Sequence, residues 1–63
     1  MVYSEAIKML RKKLILSQTE FAKLLGVSYT IVNRWESGHF EPTIKSKRKL
    51  APYFKKYKIE TDE

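Results

Sequence analysis

The sequence predicts an all-α fold: one compact domain of four to five helices arranged about a central pair of short ones. Three observations predict it. Apolar residues recur at helical spacing along most of the chain. A serine or threonine (Ser4, Ser17, Ser28, Thr43) stands just ahead of each apolar stretch, where a helix needs an oxygen for its first N–H groups. Glycine and proline are scarce, and Gly26 falls between the two central stretches, at the place of a turn.

The first helix is expected over residues 5–13, capped by Ser4. Ala6, Ile7, Leu10 and Leu14 form its apolar side, Met9 its edge, and Lys8, Arg11, Lys12 and Lys13 a basic side. Leu16 links it, buried, to the next. The second helix begins at Gln18, because Ser17 and Glu20 have the spacing of a capping box. Phe21, Ala22, Leu24 and Leu25 make its core-facing stripe. Gly26 follows the last apolar residue, where chains turn left-handed. Val27 re-enters the core and Ser28 caps the third helix.

Residues 37–42, SGHFEP, read as a loop punctuated by Gly38 and Pro42. Thr43 caps a fourth helix from Ile44, with thin apolar cover before Leu50. Pro52 inside that helix removes the hydrogen bond to the Arg48 carbonyl and clashes with it, at about 3 kcal/mol. A kink or a stop near Ala51 is therefore expected, with Tyr53, Phe54 and Tyr57 folding back on the core. Residues 1–57 make the domain. Residues 58–63, KIETDE, make a short acidic tail expected to fray.

The third helix carries the functional signal. At about 100° per residue, Val32, Trp35 and Ser28 share one side, while Thr30, Asn33 and Arg34 point the opposite way. Tyr29 and Ile31 flank the outward row. Arginine matches the O6/N7 edge of guanine, asparagine the N6/N7 edge of adenine, and a threonine methyl can touch thymine. Periodicity alone also accommodates a merely solvated face, with Arg34 paired to nearby Glu36.

Composition narrows the classes. The 63 residues hold 13 Lys plus Arg against 7 Asp plus Glu, a net charge of +6, which favours polyanions, nucleic acid ahead of anionic membrane. There is no cysteine, hence no disulfide and no cysteine zinc site. No apolar run is long enough to span a bilayer. MVYSEAIKML lacks the pattern of a secretion signal, so a cytoplasmic, nucleoid-associated protein of prokaryotic or phage type is expected. His39 is the single histidine and lacks a metal-ligand partner. Glu20 reads as a capping residue and Glu36 as a pairing residue, not as a catalytic pair. No glycine-rich phosphate loop occurs. No enzyme, metal, cofactor or small-molecule substrate is expected.

Residues 10–38, LRKKLILSQTEFAKLLGVSYTIVNRWESG, resemble the lambda-repressor and Cro type of helix-turn-helix domain, the XRE-like family. The residues that carry the resemblance are LRKK, the LSQ start, Ala22, Gly26-Val27-Ser28, Val32, and Arg34-Trp35-Glu36 with Gly38. Extended through Pro42 to Leu50 and Ala51, it covers roughly residues 5–54. It implies a four- to five-helix lambda-repressor-like domain with a central helix-turn-helix. It also implies sequence-specific binding of double-stranded DNA by a major-groove recognition helix at about residues 28–36, as a repressor-like regulator of transcription.

On that reading Tyr29, Thr30, Asn33 and Arg34 read bases, and Gln18, Thr19, Ser28, Ser37, Lys12 and His39 hold the sugar-phosphate backbone. Lys47 and Arg48 stand where relatives commonly bury leucines. Ile15 stands where relatives place a residue tolerant of positive φ, so the first turn is either differently shaped or strained. Relatives often dimerise beyond the fourth helix; this chain offers only Tyr53, Phe54, Tyr57 and Ile59 there, and a weak homodimer formed on DNA is expected. The alternative class is a protein-interaction module, such as an antitoxin or accessory regulator. Such a module keeps the fold but acts through a protein partner, by its Lys/Arg cluster or carboxyl-terminal aromatics.

Overall fold

The computed structural model describes residues 2–61, among which lie four α-helices and no strand: α1 (Tyr3–Leu14), α2 (Gln18–Leu25), α3 (Tyr29–Ser37) and α4 (Ile44–Lys56). Met1 and the last two residues of the acidic tail, Asp62 and Glu63, lie outside the described residues. The chain is all-α, with the lower of the two expected helix numbers.

α1 starts at Tyr3, not at Glu5, and Ser4 does not cap it. The N-cap is Val2, extended at φ −71° and ψ 156°, with no side-chain hydrogen bond to the helix. A tertiary contact replaces the cap: Tyr3 is buried, and its ring centre lies 6.2 Å from that of Phe54. At its other end α1 closes on Ile15 in the left-handed region, φ 57° and ψ 47°. The Ile15 N–H donates to the Lys12 carbonyl (3.1 Å) and the Leu16 N–H to that of Arg11 (3.2 Å). The turn is thus the strained one. The Ile15 side chain is 88% exposed, so burial does not offset the strain of a β-branched residue there.

α2 and α3 follow their sequence signals closely. Ser17 and Glu20 form the reciprocal capping box, Ser28 caps α3 through the Ile31 N–H, and Gly26 and Gly38 end the two helices at φ 72° and 80°. The stripe of α2 needs one correction. Phe21, Ala22 and Leu25 are buried, whereas Leu24 is 47% exposed. The three buried residues share a sector of about 100° on the helix, and Leu24 lies about 60° outside it.

One core joins all four helices: Ala6, Ile7 and Leu10 from α1, Phe21 and Leu25 from α2, Val32 and Trp35 from α3, Leu50 and Phe54 from α4. α3 packs on both α1 and α2, and α4 touches those two more lightly. Thr43 caps α4. The helix then runs through Pro52 to Lys56 instead of stopping near Ala51. The residues beyond the proline account for this. Phe54 and Ile59 are each 6% exposed, and Tyr53 and Tyr57 pack against the core. Burying one such apolar side chain stabilises by about 1.5–3 kcal/mol, so two together exceed the proline penalty of about 3 kcal/mol. Lys58 at φ 55° closes α4, and the Ile59 N–H donates to the Phe54 carbonyl (2.8 Å), bringing Ile59 into the core beyond the boundary expected after Tyr57. Lys49 ties α4 to α2 by donating from Nζ to the Leu25 carbonyl (3.1 Å).

Candidate nucleic-acid interface

α3 presents a continuous outer face. Tyr29, Thr30, Asn33, Arg34 and Ser37 are exposed on it, while Val32 and Trp35 anchor its inner side and Ile31 packs partly against the core. The nine-residue helix is pinned from below by its own apolar residues and at both ends by Ser28 and Gly38. Its polar row is therefore presented on a rigid element.

Beneath this row lies an ion pair that joins α1 to α3. Arg11 donates from Nε to Glu36 Oε2 (2.6 Å) and from a terminal nitrogen to Oε1 (3.0 Å), a two-point contact, and donates also to the Leu16 carbonyl (3.2 Å). The Glu36 side chain is 5% exposed and that of Arg11 20%. Glu36 is thus a pairing residue, but its partner is Arg11, twenty-five positions away, and not Arg34. The hydrogen bonds to Glu36 hold the Arg11 guanidinium still more firmly protonated than usual, against the opposing effect of burial.

The network continues to the surface. Gln18 donates from Nε2 to Glu36 Oε1 (3.2 Å), and Gln18 Oε1 accepts from the Asn33 amide (3.4 Å). Gln18 and Asn33, expected respectively as backbone anchor and base reader, are therefore neighbours oriented from one buried carboxylate. Arg11 was legible in sequence only as part of a basic side. Its register, four residues after Ile7 and three before Leu14, is that of the apolar stripe, as Glu36 is four residues after Val32. Opposite charges at two core-register positions are the signal that pairs them.

Arg34 lies with its guanidinium carbon 5.7 Å from the centre of the Phe40 ring. Asn33, Arg34, His39 and Phe40 line an open hollow of about 440 Å³ at the carboxyl end of α3. Ser37 Oγ lies 3.2 Å from the Arg34 carbonyl and 2.7 Å from His39 Nδ1, the donor of the second contact depending on the ring tautomer. Ser37 and His39, expected as backbone anchors, are thus brought together beside Arg34. Phe40 had no sequence signal beyond its place in the loop.

The remaining candidates are placed differently. Thr19 is exposed in the first turn of α2. The Ser28 hydroxyl accepts the Ile31 N–H (3.2 Å) and so serves α3 as its cap. Lys12 stands apart, lining a separate open hollow on α1 with Glu5, Lys8, Met9 and Lys13. Among the described residues no cluster of metal-ligating side chains occurs, and no helix is long and apolar enough to cross a membrane. A family model described as helix-turn-helix matches residues 7–60. No curated protein and no solved structure matches the chain.

Proposed function

The chain belongs to the lambda-repressor-like (XRE) helix-turn-helix family of DNA-binding regulators, and from that premise we propose that it is a sequence-specific, repressor-like regulator reading double-stranded DNA with α3 in the major groove. The observation that carries this is the exposed row Tyr29, Thr30, Asn33 and Arg34 on a helix whose other side is locked into the core. Arg34 reads guanine and Asn33 adenine, each through a two-point contact, while Tyr29 and Thr30 lie at the leading end.

Phosphate contacts set the register before bases are read. Gln18 and Thr19 offer side chains and first-turn N–H groups at the start of α2, where the helix dipole favours an anion. Ser37 and His39 hold the far end, Lys12 adds charge from α1, and Ser28 contributes by capping the reading helix. Asn33 is released for reading by breaking only the long 3.4 Å contact to Gln18. Phe54 and Ile59 are buried in the chain's own core, so two copies pair weakly on DNA through the partly exposed Tyr53 and Tyr57.

Selection from a randomised duplex library tests this, followed by binding to the winners and to scrambled DNA across salt concentrations. A recovered motif bound about 10³-fold or more above scrambled DNA is expected. On that motif Arg34→Ala costs about 1–3 kcal/mol and relaxes one base position, whereas Lys12→Ala weakens all sequences alike and lowers the salt slope. Salt-sensitive binding with no motif overturns the reading and turns the search to a protein partner.

A further inference from the structure

An arginine that reads a base must hold a flexible four-torsion side chain in one plane. Something has to limit its freedom before DNA arrives, or the ordering cost is met entirely at binding. The buried network under Asn33 and Gln18 does not reach the Arg34 guanidinium. What lies against that group is Phe40, a residue outside the core with 40% of its surface exposed.

The local backbone explains how a loop residue comes to lie there. Gly38 turns left-handed at φ 80°, its N–H donating to the Trp35 carbonyl (3.2 Å), and the His39 N–H donates back to the Arg34 carbonyl (3.1 Å). The Ser37–His39 contact closes the same turn from the side-chain side. The chain is thereby folded back over the last turn of α3, and residue 40 arrives beside residue 34. Phe40 also lines a smaller hollow with Val2, Tyr3, Trp35 and Gly38, so its ring stands as a wall between the core margin and the hollow of Asn33 and Arg34.

Resting on the DNA-reading function proposed above, we propose that Phe40 is a specificity-determining residue: a positioning residue whose ring face holds the Arg34 guanidinium beside Asn33, ready for the guanine edge. An aromatic face attracts the guanidinium through its quadrupole and leaves the N–H groups at the rim free to donate. Apolar bulk alone does not do this. The inference therefore separates the π face of Phe40 from its volume.

The experiment compares wild type, Phe40→Leu and Phe40→Tyr, each also in an Arg34→Ala background, on the selected duplex and on duplexes altered one base pair at a time. Phe40→Leu is expected to lower discrimination about 5-fold at the one base pair that Arg34→Ala relaxes, to leave the other positions and the melting temperature unchanged, and to be restored by Phe40→Tyr. In the Arg34→Ala background the leucine substitution has no further effect. Without DNA, the Arg34 Nε–H proton resonance loses its ring-current shift in Phe40→Leu and keeps it in Phe40→Tyr. Equal weakening on every duplex, or the same loss with Arg34 absent, overturns the inference and makes Phe40 a plain contact. A wild-type protein without any preferred sequence sinks the DNA-reading function first, whereas a preferred sequence read equally well by Phe40→Leu sinks only the role of Phe40.

Discussion

The central helices α2 and α3 and the flanking helices α1 and α4 are all followed by a left-handed residue, but of different kinds. Gly26 and Gly38 supply it in the centre, and Ile15 and Lys58 at the flanks, at φ 57° and 55°. Their starts differ too. Ser17 and Ser28 cap α2 and α3; of the flanks, α4 is capped by Thr43, whereas α1 begins on Val2 without any side-chain cap. The centre is therefore specified by local chemistry, each boundary written by the residue that forms it. At Val2 and at Pro52 the flanks hold against local preference because of contacts distant in sequence, Tyr3 on Phe54 and Ile59 on the core. α3 is thus placed by local signals and packed on both α1 and α2.

The comparison breaks most sharply at the Arg11–Glu36 ion pair between the two regions. Glu36→Ala strands the Arg11 guanidinium and removes the acceptor of Gln18, and it should cost about 3 kcal/mol, at the low end for a buried pair because Arg11 is partly open to water. A domain of this length has only about 3–9 kcal/mol in all. Replacing both partners by apolar residues, Arg11→Met with Glu36→Leu, should recover most of that stability in a urea melt while weakening DNA binding, since Gln18 and Asn33 lose their orientation. A single substitution costing less than about 1 kcal/mol would mean that flank and centre are energetically separate.

Pro52 tests the flank by itself. The helix continues through it with the Arg48 carbonyl deprived of its usual donor, and the proline is exposed. Pro52→Ala should raise stability by about 2 kcal/mol, the helix-interior penalty less the loss of rigidity in the unfolded chain. Destabilisation in the same melt would show that a proline-imposed bend is needed to bring Phe54 and Ile59 onto the core.

What the sequence made legible follows the same division. Ser17, Glu20, Gly26 and Ser28 marked the boundaries of the central helices because a cap or a left-handed turn involves only neighbouring residues. The outward row from Tyr29 to Arg34 was legible because helical periodicity fixes which side each residue takes. The start of α1 and the course of α4 were not, since both turn on burial: Tyr3 without a cap, and Phe54 and Ile59 against Pro52. The Arg11–Glu36 pair and the packing of Phe40 on Arg34 were hidden for related reasons. The first joins residues twenty-five apart, and the second depends on a loop path that Gly38 permits but does not by itself dictate.

Exchanging the turn residues measures the division directly. Gly26→Ala adds a methyl that meets only Lys49 Nζ at 3.7 Å, an ordinary contact, so its cost is the left-handed backbone alone, about 1 kcal/mol. Ile15→Gly should act in the opposite direction, a gain of about 0.5 kcal/mol once the entropy of glycine in the unfolded chain is subtracted from the strain relieved. Thermal melts of the two variants should shift oppositely. Loss of stability in Ile15→Gly would show that the exposed isoleucine makes a contribution beyond its backbone.

The smallest effect is electrostatic and belongs to the centre. Hydrogen bonds from the Ser17 backbone and side chain hold the Glu20 carboxyl below the ordinary carboxylate range, with Lys23 adding a minor favourable charge. A folded value lower than the unfolded one means that the unfolded chain binds the proton more readily. The resulting stabilisation is complete above the ordinary carboxylate range and is lost as the pH falls through the lower, folded value of Glu20. Because the carboxylate is fully exposed, solvent screens it and the contribution is small. An NMR titration of the Glu20 side chain should give a midpoint below the ordinary range, and Ser17→Ala should move it upward. The corresponding acid-side slope of stability should flatten in Ser17→Ala and in Glu20→Gln, and should survive in Ile15→Gly, whose turn involves no carboxylate. An unshifted Glu20 midpoint in the wild type would remove the reciprocal half of the capping box and leave Ser17 alone to start the helix.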